Sequence, residues 1–160
     1  MLFRSMPKNG LDQFDRKILS ALMEDASLTN VELANKVGLS PSPCLRRVKA
    51  METSGIIRGR RLLVDEAEVG LPISVFLQVT LERQIEANLD RFETAINNWP
   101  EVVECHLMTG DADYLLRVVA PDLNAYHRFL MERLTRVEGV ASIKSSFALK
   151  QTKYGETLPL

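Results

Sequence analysis

Three stretches of this chain carry side chains able to do chemistry. The first is basic. Between residues 40 and 61 there are six Lys/Arg (Arg46, Arg47, Lys49, Arg58, Arg60, Arg61) and one acidic residue, Glu52. Ser42, Arg46 and Lys49 recur at helical spacing and share one face, with Pro43 and Arg47 at its margin. Arginines so placed make paired bonds to guanine edges or phosphates, and hydroxyls bind phosphate. The second stretch is MTGDADYLL. Its Gly110 opens a tight turn crowded by Asp111 and Asp113. Amides of such a turn can bind a small carboxylate while an aspartate holds an ammonium, the pairing an amino acid requires. A plain polar hairpin turn is the other reading. The third is Cys105-His106. Two adjacent ligands with no second pair do not build a metal centre, and a strand cysteine commonly fills a core. His127 has no Ser or Cys neighbour at a useful spacing, and no phosphate-binding glycine motif is present. No catalytic set, metal or cofactor is therefore expected, and the chain is not expected to be an enzyme. Cys44 has two readings. A helix N-terminus lowers a thiol pKa and favours redox sensing, whereas a small packed residue does nothing.

The elements that must hold these groups are legible. Residues 11–25 place Leu11, Phe14, Ile18 and Leu22 on one helical stripe, widened by Leu19 and Met23. Thr29 and Glu32 form a capping box for a second helix with Leu33, Ala34 and Val37 inward, closed by Gly38. Ser40-Pro41 opens a third helix over 41–54, with Leu45, Val48 and Met51 inward and Gly55 as its stop. Two short helices joined by a glycine turn make a helix-turn-helix, whose following helix offers the basic face to a major groove. IIRGRRLLVD reads as strand, basic turn and strand. Such a wing lets Arg58 and Arg60 touch the DNA backbone.

Downstream, PISVFLQVTLE alternates as a half-buried strand. Asn88 caps a helix carrying Leu89, Phe92, Ile96 and Trp99. VVECHLMTG and YLLRVVA follow as strands. Asp122 caps a helix with Leu123, Tyr126, Leu130, Leu134 and Val137 inward, and VASIKSSFALKQ returns as a strand. The order βαββαβ is the ferredoxin-like plan, so the fold class is α+β. Its open sheet face, with Phe76, Val102, Met108, Val119 and Ala148, predicts a partner, most simply a second copy.

Length and charge agree with two modules. The chain has 160 residues, 46% apolar and 26% charged, with net charge −1. Residues 1–65 hold 11 Lys/Arg and 7 Asp/Glu, while residues 66–160 hold 9 and 14. The near-neutral total therefore joins a basic half to an acidic one and does not exclude a nucleic-acid partner. No apolar run approaches the roughly 18 residues of a membrane span. The first ten residues lack the apolar core of a secretory signal, and two distant cysteines make no disulfide framework, so a cytoplasmic protein is expected.

TNVELANKVGLSPSPCLRRVKAMETSGIIRG, ECHLMTGDADYLLRV and SSFALK, in that order and spacing, resemble the leucine-responsive/AsnC ("feast/famine") transcriptional regulators of bacteria and archaea. The resemblance runs from about Leu11 to Leu160. Residues 1–10 have no matched role in it and are expected to be a flexible arm; the resemblance implies a winged helix-turn-helix domain (11–58), a hinge strand (59–71) and a ligand-binding and oligomerisation domain (72–160). It implies double-stranded DNA and an amino-acid effector as partners, dimers that assemble to octamers, and a nucleoid-associated location. By motif match, Ser40, Ser42, Pro43, Cys44, Arg46, Arg47 and Lys49 fall on the DNA-reading helix. Thr109, Gly110, Asp113 and Tyr114 fall on the effector turn, and Ser146 lies on a strand able to approach it. Two rival classes are an architectural DNA-compacting protein without effector and a small-molecule-binding enzyme or accessory on the ferredoxin-like domain.

Overall fold

The computed structural model describes residues 10–153 and 157–160, so apart from Gly10 the expected N-terminal arm lies outside the described residues. Two compact units result. One ends at Leu62 and takes back the tail 152–160, and the other comprises Leu63–Gln151. The segment 63–71 thus belongs with the sheet. The tail, grouped with the sheet in the sequence reading, packs on the helical unit, where the Leu158 N–H meets Met23 Sδ at 3.5 Å.

The helical unit contains α1 (Gln13–Glu24), α2 (Asn30–Val37) and α3 (Pro41–Thr53). The capping box expected at α2 is formed: the Thr29 hydroxyl accepts from the Glu32 amide and the Glu32 carboxylate accepts from the Thr29 amide. The Thr29 hydroxyl also donates to the Glu32 carboxylate at 2.7 Å, and this bond, followed by that of the Thr29 amide, holds the Glu32 carboxyl below its usual range. Gly38 ends α2 at φ 76°, a left-handed backbone that glycine adopts without strain. Asp12 caps α1 in the same reciprocal way with Asp15.

The core of this unit joins Ile18, Ala21 and Leu22 of α1 to Leu33, Ala34 and Val37 of α2 and to Cys44, Val48 and Met51 of α3. A fully buried side chain such as Ile18 contributes about 1.5–3 kcal/mol by leaving water. Leu45, expected inward, is 41% exposed, and Cys44 fills the site instead. Val48 and Met51 stay inward as expected, so the change is confined to the first turn, where at 100° per residue Cys44 lies closer than Leu45 to the stripe that they define.

The wing differs as well. Residues 54–64 form no strand, and Leu62 is 87% exposed with Leu63 and Val64 beside it. Ile56 and Ile57, the apolar residues of its expected first strand, pack instead against the helical core, and the Ile57 amide donates to the Met51 carbonyl at 3.1 Å.

The second unit is β1 (Ile73–Leu81), α4 (Glu86–Asn97), β2 (Val102–Leu107), β3 (Tyr114–Ala120), α5 (Leu123–Glu132), a 3-10 turn at Leu134–Arg136 and β4 (Val140–Phe147). The antiparallel sheet has the order β2-β3-β1-β4, as the ferredoxin-like plan requires. Val75, Leu77, Val79 and Leu81 of β1 point to the core with Leu116 and Val118 of β3, against Phe92, Ile96, Tyr126, Phe129 and Leu134.

Four local expectations are corrected here. Asn88 lies inside α4, where its amide donates to the Arg83 carbonyl at 3.1 Å, and Ile85 is the N-cap. Leu123 is exposed and Phe129 is buried in its place. The second helix stops at Glu132, and the 3-10 turn carries Leu134 inward. Val102 packs against the core, because the β2–β3 register shifts between Val102 and Glu104. The open face retains Phe76 and Val119 among polar groups and adds Leu115, which stands opposite Gln78.

Candidate functional site

On α3 the side chains divide by face. Ser40, Ser42, Arg46 and Lys49 are exposed, and Pro43 is half-buried. Ser40 is the N-cap but makes no side-chain capping bond, so its hydroxyl is available to a ligand. The first turn of α3 contains no acidic residue, which leaves the positive end of the helix dipole uncompensated. Among the described residues, Arg46 and Lys49 enter no ion pair. Arg58 is exposed just beyond Gly55, and Arg60 lies 3.9 Å from Glu52, a loose contact.

Two residues of this helix leave the DNA-reading set. Cys44 is fully buried, and burial raises its thiol pKa. Its side chain packs in the helical core instead of standing on the basic face. Arg47 turns back to α1, where its Nη1 lies 2.7 Å from Asp12 Oδ2 and 2.8 Å from Asp15 Oδ1. Its guanidinium carbon also stands 5.7 Å from the Phe14 ring centroid. The Asp12 carboxyl is held below its usual range, first by the Asp15 amide and then by Arg47. Arg47 is thus a brace between helices. No local signal marks this role, because i, i+1 arginines on a helix look alike until the neighbouring carboxylates are placed.

The turn between β2 and β3 spans residues 108–113. Thr109, Gly110 and Asp111 are exposed, and Gly110 has φ 120°, a conformation that favours glycine. Asp113 is only 3% exposed. Its Oδ2 accepts from the Leu81 amide at 2.6 Å, and its Oδ1 accepts from the Gln84 side-chain amide. Its backbone is bonded on both sides: the Met108 amide donates to the Asp113 carbonyl, and the Asp113 amide donates to the Val79 carbonyl. Tyr114 is buried too. Its ring stacks on Phe92 with centroids 4.5 Å apart, and its hydroxyl donates to Glu93 at 2.8 Å. Burial, then Glu93, raises the phenol pKa.

Asp113 and Tyr114 therefore hold the turn in place, with their side chains buried and bonded within the sheet unit. Gln84 and Glu93, their partners, carried no sequence signal. Ser146 stands opposite Phe76, three positions along β1 from Val79, whereas Ser142 stands opposite Thr80 at the end of β1 that the turn meets. The structure does not bring Ser146 to the turn. Cys105 lies exposed on edge strand β2, with its pKa pushed up to about 11 by desolvation and then by Glu93. Among the described residues no cluster of three metal-ligating side chains occurs.

Comparison with known proteins agrees with this division. Residues 74–158 match the model of the Lrp/AsnC ligand binding domain, and residues 11–58 match a winged helix-turn-helix DNA-binding model. The Bkd operon transcriptional regulator of Pseudomonas aeruginosa is 49% identical over 150 residues, covering 94% of this chain and 98% of that protein. The leucine-responsive regulatory protein of Escherichia coli is 38% identical over 155 residues, covering 97% and 94%. A transcriptional regulator from Neisseria meningitidis, solved as an L-Met complex, superimposes with a TM-score of 0.89 at 41% identity, covering 94% and 97%. A helical unit with a free basic face and a sandwich with a rigid glycine turn thus coincide with two matched modules, and the chain belongs to the Lrp/AsnC family of transcriptional regulators, with a helix-turn-helix DNA-binding half and a ligand-binding half.

Proposed function

We propose that this regulator reads double-stranded DNA through Arg46 and Lys49, with Ser40, Ser42 and Pro43 at the same face and Arg58 and Arg60 on the flanking phosphates. The observation that carries the reading is the division of labour on α3. Arg47 is spent on the fold, while Arg46 and Lys49 stay exposed beside an uncompensated helix N-terminus. An amino acid is the effector, bound where the turn amides around Thr109 and Gly110 are held rigid by Asp113 and Tyr114. The L-Met complex of the Neisseria regulator supports this class of ligand.

The chain works as a dimer that assembles further, to an octamer, on the nucleoid in the cytoplasm. Phe76 and Leu115 on the open sheet face, and the exposed strand edges, support self-association. The effector acts by binding two assembly states unequally, so that it shifts the population bound to DNA.

Selection of duplexes from a random pool tests the DNA reading. The expected product is a near-palindromic site with half-sites one or more helical turns apart. Its log affinity should fall linearly with log salt, with a slope of roughly −0.9 per phosphate contacted. Recovery of no preferred sequence favours the architectural reading and overturns this one.

A further inference from the structure

The segment that leaves the sheet unit toward the helical unit is ordered by its own turn. Asp65 Oδ1 accepts from the amides of Ala67 and Glu68, and the Leu71 amide donates to the Glu66 carbonyl at 2.8 Å. The second residue of that turn, Glu66, places Oε1 2.8 Å from Arg117 Nη1. Arg117 Nε meanwhile donates to Glu104 Oε1 at 2.9 Å. Arg117 sits on β3 opposite Phe76 and beside Glu104 of β2, on the sheet face turned away from the helices. Its side chain is only 22% exposed. Two charge-assisted bonds on one partly desolvated guanidinium form a stronger contact than a solvated surface pair. The chain passes from one unit to the other at Leu62–Leu63, just upstream of Glu66.

We propose that Arg117 is a positioning residue: through Glu66 it fastens the linker turn to the sheet and so fixes where the chain departs for the DNA-reading half. Glu104 orients the guanidinium from the neighbouring strand. Fixing the departure point lowers the conformational freedom that two half-site contacts would otherwise have to remove, which raises affinity without adding a DNA contact. This consequence rests on the DNA-reading role proposed above. The clamp itself does not.

The test uses the full chain with Glu66→Gln, Glu104→Gln, Arg117→Gln and Arg117→Lys. Amide hydrogen exchange at Ala67, Glu68 and Leu71 reads the fastening directly. Glu66→Gln and Arg117→Gln should speed it by roughly three- to tenfold, and Glu104→Gln by less than about twofold. Arg117→Lys, which keeps the charge but not the fork, should fall between. Trypsin cleavage after Arg58, Arg60 and Arg61 should follow the same order. Affinity for a duplex selected by the wild type should drop by roughly two- to tenfold in Glu66→Gln while the melting temperature of the sheet unit stays unchanged.

Exchange in Glu66→Gln equal to wild type overturns the clamp. A larger effect of Glu104→Gln than of Glu66→Gln also overturns it, because the turn would then depend on the sheet around Arg117 and not on the Glu66 pair. If exchange rises but duplex affinity is unmoved, the positioning role is overturned. Failure of the DNA-reading proposal shows separately, as a wild type that selects no duplex.

Discussion

Arg46→Ala combined with Lys49→Ala weakens binding to the selected duplex by about a hundredfold or more and leaves the melting temperature within about a degree of wild type. The size follows from the contacts. A bidentate arginine contact to a base is worth about 1–3 kcal/mol, and each lysine lost to phosphate also flattens the salt slope by about one. The small stability effect follows from exposure, since both side chains lie in solvent and enter no ion pair among the described residues. Arg47→Ala is the control and behaves in the opposite way. It removes the bridge to Asp12 and Asp15 and leaves those carboxylates facing one another. It costs about 1 kcal/mol, a few degrees of melting temperature in a unit of this size, with a weaker direct effect on affinity. Titration of the duplex and thermal unfolding, run on both variants, separate the two. A double variant that binds like wild type removes α3 from the interface.

Asp113→Ala lowers the melting temperature of the sheet unit by roughly 10–20 °C, through loss of about 2–3 kcal/mol. The Leu81 amide loses its acceptor at a buried position, and the Gln84 side chain loses its anchor. Asp113→Asn is nearly silent. An asparagine oxygen still accepts from Leu81, and its NH2 donates to Gln84 once that terminal amide rotates by half a turn. The pair of variants therefore distinguishes two roles. If Asp113 only holds the turn, the asparagine variant keeps the amino-acid-induced rise in melting temperature. If the carboxylate grips the ligand's ammonium, that rise disappears although the fold is intact. The buried, twice-bonded geometry predicts the first outcome.

How far the sequence could be read depends on the range of the interaction. The β1 strand and the capping box at Thr29 and Glu32 were legible because alternation and capping are local. The helix-turn-helix and the βαββαβ order followed from such local signals placed in sequence. The basic face was legible as a face, but not which arginine serves it. That choice was made by Asp12 and Asp15, more than thirty residues upstream of Arg47. Asp113 misled for the same reason. An aspartate in a glycine turn looks solvent-facing until β1 places the Leu81 amide beneath it. Leu45 and Cys44 exchanged roles because a helical stripe with alternative neighbours has no unique phase until the other two helices dock. The wing misled because Ile56 and Ile57 fold back on the helical core, a long-range contact that no local pattern announces.

The decisive measurement is the affinity of wild-type protein for its selected duplex, titrated with and without each amino acid that raises its melting temperature. At least one of them should change the affinity by a factor of roughly 5–150, and saturating duplex should change the amino acid's affinity by the same factor. Coincident DNA titrations, with an amino acid demonstrably bound at the turn, would contradict that expectation.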